Sequence, residues 1–227
     1  MSEWWSYRPS DFLMFSPRIY WRLFELVNEA AWPLQPLLLL AGLAGVVALA
    51  RGRHWPALGC GLAVAWVLAA VLFVHQRYVP VNWAAALALP AIGLLVLLLP
   101  ALAWQARHGA APGPRARWVA LVLALWALLL HPLLAPLAGR PWAQAELFGL
   151  APDPTALFTL ALLLALPRVN GRGWRVLTAL AWAVPLAWCA SSGFMLATMG
   201  SAQAGVPLFG AGIALLALKA DARDVQY

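Results

Sequence analysis

The sequence predicts an all-α integral membrane bundle of seven transmembrane helices, N-terminus outside and C-terminus cytoplasmic, preceded by an amphipathic interfacial helix. Three observations predict it. Of 227 residues, 64% are hydrophobic and 10% charged, the latter less than half the ~25% of soluble domains. Apolar runs of roughly twenty residues, the length that crosses a bilayer, recur along the chain. The basic residues, fourteen Arg and Lys219, sit in the connections between those runs, where they orient a membrane protein. A soluble enzyme and a disordered tail are excluded. So is a disulfide-stapled module, because Cys60 and Cys189 are the only cysteines and both lie within apolar runs. The formal charge of +7 forms no amphipathic basic face, so nucleic acid is not an expected partner.

The first element is an amphipathic helix, within an N-terminal segment of residues 1–30. The start, Met1-Ser2-Glu3-Trp4-Trp5, lacks the basic and apolar regions of a cleavable signal peptide. Ser16 and Pro17 suit an N-cap and first turn. Arg18, Arg22, Glu25 and Glu29 then recur every three or four residues, with Tyr20, Leu23, Phe24 and Val27 opposite them. Such a helix lies in the outer interface or docks over the outer mouth of the bundle. A bend at Pro33 and Pro36 leads into the first span.

The membrane domain, 31–219, holds seven spans: Trp32–Ala50, Pro56–Val74, Trp83–Ala103, Trp118–Ala138, Thr155–Pro167, Trp174–Met199 and Val206–Leu218. The fifth and seventh are shorter than the roughly 20 residues a straight crossing needs, so flanking residues or a thinned bilayer must complete them. Residues 220–227 form a cytoplasmic tail. Arg51, Arg53, Arg107, Arg115, Arg117, Arg168, Arg172 and Arg175 fall in the odd turns, and Lys219 and Arg223 follow the last span. Only Arg77 and Arg140 fall in the even turns. That ten-to-two bias puts the odd turns inside, with the inner membrane as the expected location. Arg53-His54-Trp55, Arg117-Trp118 and Arg172-Gly173-Trp174 echo one another, as either an internal repeat or ordinary interface preferences would produce.

Ionisable groups inside a membrane are costly and mark sites or pathways. Depth therefore ranks the candidates. Glu29 ends the amphipathic helix; His75, Tyr78 and Asn82 follow the second span at the outer face. His131 lies thirteen residues after Trp118, roughly 20 Å along a helix. Asp153 opens the fifth span from outside. Pro132, Pro136, Pro152 and Pro154 break the helices around these residues, and Pro-broken spans point to transporter binding sites. The expectation is a polar cavity in the outer half lined by Glu29, His75, His131 and Asp153, with Tyr78 and Asn82 beside it. Each residue also has a structural reading: Asp153 suits a helix N-cap, His131 a donor to a freed carbonyl, and Glu29 and His75 solvated edges. His75, His131 and Glu29 are candidate metal ligands, although no HExxH or CxxC spacing is present. The sequence names no cofactor. Haem pairing of His54 with His108 and His75 with His131 fits the spacing poorly, as does a Cys60–Cys189 metal site.

Several strings carry a resemblance. Ser16-Pro17-Arg18-Ile19-Tyr20-Trp21-Arg22 leads to Asn28-Glu29 and Trp32-Pro33; His75-Gln76-Arg77-Tyr78 precedes Asn82-Trp83; and Phe148-Gly149-Leu150-Ala151-Pro152-Asp153-Pro154-Thr155 is followed by Trp188-Cys189. Over nearly its whole length the chain resembles an uncharacterised family of small bacterial multi-pass membrane proteins, some of them labelled transporter permeases. The resemblance implies that the outer-face motifs belong to a shared pattern, and it brings no activity, substrate or cofactor. The expected function is a small-solute or ion permease, or a permease subunit. A membrane-embedded metal-binding protein or enzyme using the same cluster, and a non-catalytic accessory subunit, are the alternatives. The expected partners are the lipid bilayer, a small solute or ion, and a second copy or another membrane protein.

Overall fold

The computed structural model describes residues 13–53 and 55–224. The Met1–Trp5 start, His54 and the last three residues of the expected tail lie outside the described residues. Within them the chain is helical. Ser16 caps α1 (Pro17–Ala30), its hydroxyl accepting from the Ile19 amide at 3.4 Å. Tyr20, Leu23, Phe24 and Val27 are buried while Arg18, Arg22 and Glu29 are exposed, so the two faces fall where the charge spacing divides them. A short turn leads to α2 (Leu34–Arg51). Next come α3 (Trp55–Leu68), prolonged by a π-wound stretch Ala69–Tyr78, and α4 (Ala88–Gln105), flanked by 3-10 turns Trp83–Leu87 and Ala106–His108.

The next span is irregular where its prolines stand. It begins as α5 (Pro114–Leu125), widens into a π turn Trp126–Leu130 and tightens into a 3-10 turn His131–Leu133. It ends as the four-residue α6 (Leu134–Leu137). Proline at 132 donates no backbone hydrogen bond and crowds the carbonyl one turn earlier, so a regular α-ladder cannot continue through it. Two long helices, α8 (Arg172–Thr198) and α9 (Gly205–Asp224), close the chain.

Six segments are long and apolar enough to cross a membrane: Leu34–Arg51, Trp55–Tyr78, Trp83–His108, Pro114–Leu137, Arg172–Thr198 and Ala202–Arg223. Their outward faces carry Leu40, Leu97, Val122, Phe194 and Leu216, all exposed. Apolar surface of that extent on every long helix marks a membrane-embedded protein. The last span, expected to be short, is a full-length helix.

The fifth expected span departs from this pattern. Its helix, α7 (Pro152–Ala165), has fourteen residues, about 21 Å of rise against a hydrocarbon core of ~30 Å. Every one of those residues is buried. The helix sits at the centre, packed against α3, α5, α8 and α9. Small residues let the surrounding helices close on one another. A methyl at Gly59 would stand 2.6 Å from the Leu99 carbonyl oxygen of α4, and one at Gly210 only 2.4 Å from Leu157 of α7.

At the end of the bundle that carries the odd-numbered turns, the chain is tied by one carboxylate. Asp221, 1% exposed, pairs with Arg168 and accepts from the Gly113 amide at 2.6 Å. Backbone bonds between Ala110 and Arg168 complete the latch. Removing Asp221 strands the Gly113 amide, while Arg168, 35% exposed, keeps access to solvent, so the loss is that of a buried hydrogen-bond partner, about 1–3 kcal/mol. Asp221→Ala is therefore expected to lower unfolding stability by about that amount, read as a fall in Tm of the detergent-purified protein.

Candidate functional site

The half of the bundle away from the Arg168–Asp221 latch holds a buried nest built from three non-adjacent pieces of chain. His131 comes from the irregular C-terminal end of the α5–α6 span, Glu146 from the following connection, and Asp153 from the first turn of α7. They are 2%, 4% and 3% exposed, and one ligand atom from each lies within 4.8 Å of the others. His131 Nε2 stands 3.4 Å from Glu146 Oε2. That equals the ~3.4 Å edge of a tetrahedron with metal–ligand arms of ~2.1 Å. The other ring nitrogen, His131 Nδ1, is buried with no protein partner.

The connection that delivers Glu146 is extended and folds inward rather than running over the surface. Asn28 of α1 holds it, donating from Nδ2 to the carbonyls of Ala143 (2.8 Å) and Ala145 (2.9 Å). The Gln35 side chain braces Asn28 by donating to its carbonyl. Beyond Glu146 the chain turns sharply, the Ala151 amide bonding to the Leu147 carbonyl at 2.8 Å. Gly149 takes a φ of +79° there, a left-handed conformation that favours glycine. Thr155 ties the turn to α7, its hydroxyl accepting from the Gly149 amide (2.9 Å) and donating to the Ala151 carbonyl (2.7 Å). One turn on, Thr159 donates to the Thr155 carbonyl and accepts from Trp66 Nε1 of α3 at 2.8 Å. Buried non-helical backbone is thus satisfied by side chains, as membrane depth requires.

Asp153 does not cap α7; the N-cap position is Ala151. Its carboxylate faces α8 instead, where Oδ1 accepts from Trp188 Nε1 at 2.7 Å and Oδ2 from Ser192 Oγ at 2.6 Å. Glu146 Oε1 faces the Arg140 guanidinium at 3.9 Å. Arg140 also donates to the Gln144 carbonyl and to Gln203 Oε1, and lies 3.5 Å over the Trp21 ring. One imidazole and two carboxylates thus share a single guanidinium. Tyr20 of α1 lies close enough to feel their charge. Burial, and then the nearby charges of Asp153 and Glu146, push its phenol well above the usual range, so the ring stays neutral.

Beside the nest lies a cavity of about 470 Å³ between the N-terminal part of α4 and the C-terminal part of α8. Tyr20, Tyr78, Asn82, Trp188 and Ser192 form its polar side, and small alanines of α4 and α8 its apolar walls. A second cavity, about 280 Å³, lies at the other end of the same α4–α8 crease, by Gln105, Arg168, Trp174, Arg175 and Trp182. Between the two, Leu95, Leu99 and Ala181 are fully buried.

The sequence candidates divide on this geometry. His131 and Asp153 meet in the nest, and Tyr78 and Asn82 line the adjoining cavity. Glu29 and His75 are exposed and take no part in the described cluster. The four-residue gathering expected from depth is therefore corrected to a different trio. Glu29 belongs to the exposed charged stripe of α1. Around His75 the π winding shifts the helical phase, so Phe73, Val74 and Tyr78 turn inward. Glu146, Arg140 and Tyr20 complete the site without having been singled out for it. The signal for Glu146 was a lone carboxylate within the otherwise apolar stretch Ala145–Ala151. Cys60 is exposed and Cys189 buried, and they form no shared site.

A sequence model for a family described as of unknown function (DUF6064) matches residues 17–218. No curated protein and no solved structure matches the chain.

Proposed function

Because the chain belongs to this DUF6064 family, for which no function is known, we propose an activity from its own residues: a cation permease of the inner membrane, with its ion site in the outer half. In this reading the chain crosses the membrane seven times. The crossing beyond the six long helices is the fifth in chain order, and it combines the non-helical segment from Ala145 with α7, neither being long enough alone. The N-terminus is outside and the C-terminus cytoplasmic, by the Arg distribution. The observation that carries the reading is the buried trio His131, Glu146 and Asp153 with ligand atoms within 4.8 Å. One imidazole and two carboxylates suit a borderline divalent ion such as Zn²⁺ or Mn²⁺. Cavities at both ends of the α4–α8 crease, sealed by apolar packing between them, supply what alternating access needs. Pro185 interrupts α8 at that seal and gives it a place to bend.

The test is titration of the purified chain with Zn²⁺ and Mn²⁺, followed by ion uptake into proteoliposomes. One saturable ion per chain together with flux is expected. Absence of both removes the proposal. A second reading, an enzyme with a resident metal, is favoured by the fixed partners of both carboxylates, since such outer contacts orient permanent ligands. It predicts one metal per chain that survives chelator dialysis, without flux.

A further inference from the structure

Most of the polar groups lining the outer cavity have committed their protons. Tyr78 Oη donates to Met195 Sδ at 2.7 Å, and Asn82 Nδ2 to Tyr78 Oη at 2.9 Å. Ser191 Oγ donates to the Ala187 carbonyl at 2.8 Å. Ser192 Oγ and Trp188 Nε1 both donate to Asp153. The donors left over are the Tyr20 hydroxyl and the second N–H of Asn82; the rest of the lining offers lone pairs. One of the acceptors, Asn82 Oδ1, is buried with no partner, an unfavourable state for a polar atom. A ligand that donates hydrogen bonds meets Asn82 Oδ1 and the oxygens of Ser191 and Ser192, more partners than one that only accepts them would find.

Charge points the same way. Among the described residues no lysine or arginine lines the cavity, and three aromatic rings do: Tyr20, Tyr78 and Trp188. Ring faces attract cations. Directly behind Trp188 and Ser192 stands the Asp153 carboxylate, with Glu146 beyond it. The remaining wall is aliphatic, including Ala84, Ala88, Ala91, Ala187 and Leu87, and Leu87 is 72% exposed. The cavity therefore opens past Leu87, between the 3-10 turn that precedes α4 and the facing part of α8. Its volume falls within the ~300–1,000 Å³ of small-molecule sites.

We infer that this cavity binds an alkylammonium, a primary amine carrying a short aliphatic chain. The ammonium donates to Asn82 Oδ1 and the serine oxygens, faces the aromatic rings, and is balanced by the carboxylates behind them. The chain lies along the alanine wall toward the opening. The inference goes beyond the permease reading: it adds a second cation site beside the nest, and binding rests on the cavity alone.

The experiment uses the full chain in phosphatidylcholine nanodiscs, titrated calorimetrically against empty discs with hexylammonium, hexanol and hexanoate. Hexylammonium is expected to bind at least tenfold more tightly than hexanol, with no binding of hexanoate. Asn82→Leu removes the orphan acceptor, and Ala88→Phe fills the cavity from its partly exposed wall. Each is expected to weaken hexylammonium at least tenfold. Equal affinity for the three probes, or unchanged affinity in both variants, overturns the inference. Titrating the same samples with Zn²⁺ separates the two proposals. Metal binding without amine binding removes the cavity ligand and keeps the nest. Amine binding without metal does the reverse.

Discussion

Asp153→Asn is expected to reduce Zn²⁺ or Mn²⁺ affinity by more than ~100-fold, beyond the 10–100-fold typical of losing a partner outside the ligand shell. The substitution is nearly isosteric, yet it changes two things at once. It removes one of the two negative charges that a buried divalent ion needs. It also places an amide NH₂ where a carboxylate oxygen accepts from Trp188 at 2.7 Å or from Ser192 at 2.6 Å. With its oxygen turned to Trp188 Nε1, the amide NH₂ donates to Ser192 Oγ, whose hydroxyl rotates to accept, so the contacts persist and the charge is what is lost. A nearly unchanged Tm together with lost cation binding is the expected pair of readings. Intact binding in a folded Asp153→Asn protein would remove Asp153 from the ion site.

Arg140→Met is expected to move stability and affinity in opposite directions. Arg140 is the counter-charge to Glu146 at 3.9 Å, and its side chain is 11% exposed. Methionine fills part of the volume but abandons the carboxylate, the Gln144 carbonyl, Gln203 and the stacking on Trp21. Breaking a buried pair in this way costs about 3–5 kcal/mol, so the metal-free variant is expected to melt well below the parent protein. The nest then carries both carboxylates without a guanidinium. A divalent ion is attracted more strongly, by about tenfold or more at the effective dielectric of such sites. Saturating Zn²⁺ should accordingly raise the Tm of Arg140→Met by more than it raises that of the parent, because an ion that binds only the folded state stabilises in proportion to its affinity. A uniform loss of affinity would instead assign Arg140 a direct part in holding the ion.

These two substitutions bear on residues that differ in how readable they were. Asp153 and His131 stood out because each sits at a depth where lipid makes charge expensive. The apolar helices are legible for the same reason, since hydropathy alone finds runs such as Trp55–Tyr78 and Arg172–Thr198. The capped amphipathic helix follows from Ser16-Pro17 and the spacing of its charges. Glu146 and Arg140 lie between periodic segments, where no helical phase tells inside from outside. Their burial depends on Asn28 and Gln35 holding the connection inward over a sequence separation of more than a hundred residues, as in the Asn28–Ala143 bond. Glu29 and His75 were misassigned to the cavity for a complementary reason. Their depth along the chain was suitable, but the face each presents is set by the α1 stripe and by a π-wound stretch that does not follow a 3.6-residue period.

The inward-folded connection and the short α7 also constrain how the protein is made. The turn from Leu147 to Ala151, released alone into hydrocarbon, would strand the groups that Thr155 satisfies, each at a cost of several kcal/mol. That segment has no stable free existence in the bilayer. The surrounding wall of α2, α3 and α5 must therefore stand before or while this piece is sealed, with α8 and α9, later in the chain, completing the enclosure.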